Sequence, residues 1–214
     1  MLVIAVVNLK GGSTKTTTTG HLGQAFHEAG MRVLGVDADG ENESLQGWQL
    51  AGDLPWPVVT MAVPNLHKQL PDVVGDRYDV VVIDTPPMKA QRGTVFSAAR
   101  IATHVLVPMA PTPIEYDRLP AVRELLQEAA DVRPDGKPPI HAVLLTRVKP
   151  RAASTGVYRQ LITDDGVTVL NAQIGSLERF AQAWGDPMAG ALDTPYGAAA
   201  MELLDLADRQ EVSA

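Results

Sequence analysis

Two lysines flank a glycine pair in Lys10-Gly11-Gly12-Ser13-Thr14-Lys15-Thr16-Thr17, directly after an apolar run that begins at Leu2. Such residues can hold phosphate. Glycines let backbone N–H groups turn toward an anion, and a helix that starts behind them aims its positive end at the same point. Lys15 closes the turn, where an ammonium reaches β- and γ-phosphates, and the Thr16 hydroxyl is placed to ligate Mg2+. The general pattern G-x-x-x-x-G-K-[ST] is not met, because Leu9 and Thr14 hold both of its glycine positions. Gly11 and Gly12 are also compatible with an ordinary turn, with Lys10 a solvated surface charge. Thr14 poses a separate question. A β-branched residue resists positive φ, so the loop is either strained or shaped differently.

Two acidic segments extend this chemistry. The run Val80 to Ile83 ends in Asp84-Thr85-Pro86-Pro87, an apolar strand closing on a carboxylate, as in a Walker B arrangement that holds the Mg2+ shell against the phosphates. The run Val33 to Val36 delivers Asp37-Ala38-Asp39 at a strand's carboxyl end, beside the first loop of any doubly wound sheet. Both acids could instead cap a helix that starts near Asn42.

These groups need a parallel sheet to bring them together, and the chain alternates strand-like and helix-like segments accordingly. Strands are expected over Leu2–Val7, Arg32–Val36, Asp79–Ile83, His104–Pro108, His141–Leu145 and Val167–Leu170. Helices are expected over Thr16–Glu28 (amphipathic), Thr94–Ala102, Leu119–Ala130, Thr155–Thr163 and Tyr196–Ala207. The fold class is α/β, a doubly wound, mostly parallel sheet with helices on both faces. At 214 residues, without a convincing linker, one domain over 1–214 is expected. The chain has no cysteine, which excludes disulfides, thiolate nucleophiles and cysteine-held metal clusters. A net charge of −7 argues against a wholly polycationic surface. With neither a signal peptide nor a bilayer-length apolar stretch, a cytoplasmic protein is expected. The five histidines lack metal-site spacing, and Trp48, Trp56 and Trp184 read as core or interface aromatics.

The form K-G-G-x-x-K-T closely resembles the deviant Walker A motif of the ParA and MinD superfamily of ATPases. The D-[TC]-P-P ending at Asp84, the D-x-D at Asp37, and Val105 to Glu115, similar to the strand and turn after Walker B in small ParA proteins, occur in the family's order. Gly40 and Glu41 stand where the family has Pro and Gln. The resemblance implies the P-loop fold, ATP and Mg2+ as cofactors, and slow, partner-stimulated hydrolysis. It makes Gly11 to Thr17 the nucleotide loop. By the same resemblance, Lys10 is expected to reach the nucleotide of the other subunit in an ATP-bound dimer, Thr16 and Asp84 to organise Mg2+, Asp37 to support it through water, and Asp39 to position the attacking water.

Relatives that depend on cysteines, on a basic membrane-binding terminal helix or on a terminal tyrosine cluster are disfavoured by this sequence. Because the chain starts on its first strand, no N-terminal helix-turn-helix domain is expected. What remains resembles a small ParF-like or chromosomal-type partition ATPase, associated with the nucleoid and not with membrane, that binds nonspecific DNA in its ATP form and is released by a ParB- or ParG-type partner. The segment His141 to Leu161 is basic and free of acid, and Arg147, Lys149 and Arg151, with the more distant Arg179, are the expected DNA contacts. Arg147 and Lys149 are equally compatible with a solvated loop. Two alternatives stay open: a MinD-like ATPase that positions a non-DNA cargo, and a monomeric phosphotransfer enzyme similar to dethiobiotin synthetase.

Overall fold

The computed structural model describes residues 1–212, with side chains described through Asp208. Seven strands form one sheet: β1 (Leu2–Val6), β2 (Val33–Asp37), β3 (Val58–Thr60), β4 (Val80–Asp84), β5 (His104–Met109), β6 (Ile140–Val148) and β7 (Thr168–Gly175). Nine helices are described: α1 (Lys15–Glu28), α2 (Ser44–Gly52), α3 (Leu66–Val74), α4 (Arg92–Ile101), α5 (Pro113–Tyr116), α6 (Leu119–Ala130), α7 (Ala153–Asp164), α8 (Glu178–Ala181) and α9 (Pro195–Val212).

The strand order is β3-β2-β4-β1-β5-β6-β7, and every neighbouring pair is parallel. Parallel strands covered on both faces read as unbroken apolar runs, which is why Leu2–Val6 and Val80–Ile83 show no alternation in sequence. Alternation survives in the packing. Leu2, Ile4, Val6, Val80 and Val82 join a core layer with Trp48, Trp56 and Tyr196. Val3, Ala5, Val7, Val81 and Ile83 join the opposite layer with Leu66, Val95 and Leu126. The order reverses at β1, which lies between β4 and β5, so the carboxyl ends of β1, β2 and β4 open on one crevice.

All six expected strands and five expected helices are present. Five elements have no counterpart among them: β3, α2, α3 and the four-residue helices α5 and α8. β3 has only three residues at a sheet edge, α2 carries Gly47 and Gly52, and α3 contains Pro71. Each feature erases the periodicity or propensity by which elements are read. α1 departs from the expected amphipathic helix, since Lys15 and Thr18 to Phe26 are all buried. It is covered by the sheet on one side and by α9 on the other. Gly20 and Gly23 form a notch along it: a Cβ at Gly20 would lie 2.5 Å from the Trp48 ring, and one at Gly23 would lie 2.7 Å from that of Trp56. Both indoles are thereby seated in the core, unlike Trp184, which is 56% exposed.

At the sheet's edge, β7 is tied to its flanking helices by side chains. Glu202 of α9 accepts the backbone N–H groups of Asn171 and Ala172, each at 2.7 Å, and Arg159 of α7 donates to the Leu170 carbonyl at 2.7 Å. The side chains of α9 beyond Asp208 fall outside those described. Among the described residues no helix is long and apolar enough to cross a membrane.

Candidate functional site

Between β1 and α1 the chain turns through Leu9 to Thr14, with Gly12 at φ 68° and Thr14 at φ 65°. The left-handed shape is therefore kept at Thr14 although a β-branched residue occupies it, a conformation that costs on the order of 1–2 kcal/mol. A contact from the next wall offsets part of that cost, since Thr14 Oγ1 lies 3.3 Å from Thr146 Oγ1. The Lys15 ammonium is buried and donates to the Lys10 carbonyl at 3.1 Å. Burial lowers its pKa, and the charges of Asp84 and Asp39 oppose that shift. The Lys10 side chain is exposed and does not line the cavity that this turn borders.

Below the turn, the Thr16 hydroxyl donates to Asp84 Oδ2 at 2.6 Å. Asp84 Oδ1 is buried and has no hydrogen-bond partner, and the same is true of Asp39 Oδ1. Burial pushes the Asp84 carboxyl up to about 7; the Thr16 hydrogen bond pulls against this, nearby Asp37 adds to it, and Lys15 opposes it. A buried acid with an unused lone pair beside a hydroxyl fits a cation. Asp37 pairs in register with Asp84 across β2 and β4, but its oxygens are engaged otherwise. Oδ2 accepts the N–H groups of Leu45 and Gln46, both at 2.9 Å, and Oδ1 accepts that of Asp39 at 3.1 Å. Asp37 thus caps α2, the alternative left open for this acid, although the helix starts at Ser44 and not at Asn42. Burial raises its pKa despite those three bonds. Asp39 Oδ2 accepts from the Asn42 amide at 2.9 Å.

A cavity of about 560 Å3 gathers these groups: Gly11 to Thr17, Asp39, Asn42 and Ser44 on one side, and Thr146, Arg147, Ile174 to Leu177, Phe180 and Tyr196 on the other. Arg147 is the largest departure from expectation. Where β6 and β7 lose register between Leu145 and Val148, Arg147 takes φ 53°, and its guanidinium donates to the Gly12 carbonyl at 2.6 Å. A bulge re-aims a side chain in this way, and here it brings a residue expected on a DNA face onto the glycine turn. Lys149 and Arg151 are exposed outside the cavity. Arg179, also exposed, lies 4.8 Å over the Phe180 ring. Of residues 174–181 the sequence singled out only Arg179, as a DNA contact; Ile174 to Leu177, Phe180, Ala181 and Tyr196 were missed as cavity lining.

A parallel sheet whose strand order reverses at a glycine turn, with an acid-ended strand beside it, defines a P-loop nucleotide-binding domain. Residues 4–186 match the CobQ/CobB/MinD/ParA nucleotide binding domain, and the chain belongs to that family. It is 34% identical over 184 residues to the maintenance of carboxysome distribution protein A of Gloeobacter kilaueensis, covering 85% of this chain and 80% of that protein. It is 28% identical over 235 residues to the chromosome-partitioning ATPase Soj of Thermus thermophilus, covering 94% and 92%. Among solved structures, apo McdA of Cyanothece superposes with a TM-score of 0.74 at 16% identity, covering 95% of this chain and 99% of that one. Cobyrinic acid a,c-diamide synthase of Mycobacterium smegmatis, with bound ATP analog and magnesium, superposes at 0.66 with 21% identity, covering 86% and 91%.

Proposed function

We propose that this chain is a Mg2+·ATP-dependent dimerisation switch that hydrolyses ATP slowly and positions a cargo. The observation that carries the reading is the Thr16–Asp84 pair, with two partnerless buried carboxylate oxygens beneath a turn of inward-facing glycines. Lys15 and the loop N–H groups hold the β- and γ-phosphates. Thr16 and Asp84 would hold the Mg2+ ion, which when bound would neutralise phosphate charge. Among the described residues no three acidic or histidine side chains form a metal site of their own, which fits an ion that arrives with its nucleotide. Asp39, with one free oxygen, orients the attacking water, and the wall from Ile174 to Phe180 with Tyr196 takes the nucleoside. The exposed Lys10 serves the nucleotide of a second subunit.

For the cargo, we read the ATP-bound dimer as holding nonspecific DNA through Lys149, Arg151 and Arg179, with a ParB- or ParG-type partner that triggers hydrolysis. Their exposure supports this. The test is ATP-dependent DNA retention by the Arg151→Ala, Arg179→Ala double variant. Retention and a salt slope equal to wild type would remove the DNA face. A second reading, that the cargo is a protein body and not DNA, is favoured by the 34% identity to a carboxysome distribution protein. Fluorescently tagged chain that tracks a protein focus in plasmid-free cells would favour it. Size-exclusion with ATP and the Asp39→Ala variant tests dimerisation: a monomer at saturating ATP would return the protein to the phosphotransfer class. Lys10→Ala that dimerises and hydrolyses normally would end the shared-nucleotide mechanism.

A further inference from the structure

Trp184 is 56% exposed, yet its indole N–H donates to the Ser44 carbonyl at 2.7 Å. A bond in the opposite direction accompanies it: Trp48, on α2, donates its indole N–H to the Asp186 carbonyl at 3.0 Å. Each indole reaches from its own segment to the other's backbone. The Trp184 ring lies flush on α2 because residue 47 is glycine; a Cβ there would stand 3.2 Å from the ring.

The two segments are opposite walls of the nucleotide cavity. Ser44 and Asn42 line it on the side of Asp39, while Phe180 and Ala181 line it three or four residues before Trp184. Trp184 itself does not line it. The first turn of α2 is therefore held twice, from the core by Asp37 on the N–H groups of Leu45 and Gln46, and from outside by Trp184 on the carbonyl of Ser44. Asp39 depends on that turn, since its carbonyl accepts the Glu43 N–H at 2.8 Å and its carboxylate accepts the Asn42 amide.

We infer that Trp184 is a positioning residue for ATP hydrolysis: with Trp48 it clasps the start of α2, and through Asn42 and Glu43 it sets where the Asp39 carboxylate stands relative to the γ-phosphate. This rests on the reading of Asp39 given above. The clasp acts on the chemical step more than on nucleotide capture: the phosphate-holding groups belong to the β1–α1 turn, α1 and β4 and do not touch it, and of the opposite wall it engages only the loop after Ala181, which does not line the cavity.

Trp184→Phe keeps an aromatic side chain while removing the N–H and the outer indole ring that lies over Gly47. Single-turnover hydrolysis of ATP with protein in excess is expected to slow about tenfold, since small displacements of a water-positioning group cost that much or more. Affinity for a fluorescent ATP analogue should stay within about twofold, and Tm within about 3 °C. Gly47→Ala approaches the clasp from the other side. It lifts the ring by a few tenths of an ångström while improving helix propensity, so hydrolysis should slow with Tm unchanged or raised, a combination a merely structural role does not produce. Wild-type hydrolysis in either variant, or a rate loss matched by loss of binding, overturns the inference. A wild-type protein that binds ATP without any hydrolysis overturns the underlying reading instead, and that result is visible before any variant is made.

Discussion

The two walls of the nucleotide cavity are built by different means. On the phosphate side, ionisable groups sit at the ends of core strands. Asp37 and Asp84 lie 0% and 1% exposed at adjacent register positions, and α1 behind them is buried along most of its length. Opposite, the wall is a bulged strand end, the four-residue helix α8 and the loop after it, carrying exposed Arg147 and Leu177. Behind that wall lies a buried ionisable group of the other kind. His21 stacks on Tyr196 at 4.7 Å between ring centroids, lies edge-on to Trp48 and Phe180, and has no partner for either nitrogen. The acids keep a lone pair that a cation can use, whereas His21 behaves as one more aromatic ring. A buried polar group thus marks chemistry only where a ligand can complete its bonding.

The phosphate wall should be the less forgiving. Lys15→Ala is expected to weaken ATP binding on the order of a thousandfold, read by titration of a fluorescent analogue, because it removes the buried ammonium that the proposed site offers to the phosphates. A loss under tenfold would mean that the turn's N–H groups suffice.

Behind the other wall, the expected effect is on folding. Burial, assisted by the charge of Arg179, lowers His21 to about 4 from 6.5, and burial does the same to His104. Between those values the unfolded chain binds more protons than the folded one, so these groups' contribution is full above pH 6.5 and is lost as pH falls toward 4. His21→Phe should recover on the order of 2 kcal/mol relative to wild type at pH 5 and much less at pH 7.5. Comparing the two proteins in urea at both pH values cancels the remaining titrating groups, and an equal difference at each pH would show that His21 takes up its proton as readily in the fold as in the unfolded chain.

Arg147→Ala distinguishes the cavity role from the DNA role. If its contact with Gly12 stabilises the turn for nucleotide, ATP affinity falls about tenfold, roughly 1.4 kcal/mol, with DNA retention affected less than by Arg151→Ala. The reverse order would restore Arg147 to the DNA face. Smallest is Thr14→Gly. Relief of the left-handed strain outweighs the added freedom of the unfolded chain and the lost Thr146 contact, for a gain of about 0.5–1 kcal/mol in thermal unfolding; a loss would show that the Thr146 contact dominates.

The same contrast governs what could be read from the sequence. Lys15 and Thr16 were legible as candidates because the strand, turn and helix that place them are contiguous, and Asp84, 68 residues beyond Thr16, because an apolar strand closing on a carboxylate is itself a local pattern. The strain at Thr14 was legible for the same local reason, and the structure places it at φ 65°. Arg147 was not legible, since its direction depends on a register shift between two strands, which leaves no local pattern. Asp37 and Asp39 looked alike in sequence, yet one caps α2 and the other faces the cavity, a difference set by the path of residues 40–44. The nucleoside wall and the tryptophan clasp depend on contacts across more than 130 residues, beyond any periodicity. β3 and α2 were invisible because three edge residues and a glycine-bearing helix resemble loop.

The ties on β7 bear on how copies of this chain can assemble. An edge strand ordinarily offers a free row of donors and acceptors on which another chain can extend the sheet. Here Glu202 consumes two donors and Arg159 one acceptor in the middle of that row, and the opposite edge is a strand of only three residues. Growth by strand addition is thereby discouraged at both ends of the sheet. Any higher-order array must be built from side-chain surfaces, which a bound nucleotide can make and unmake, and not from backbone ladders, which it cannot dissolve.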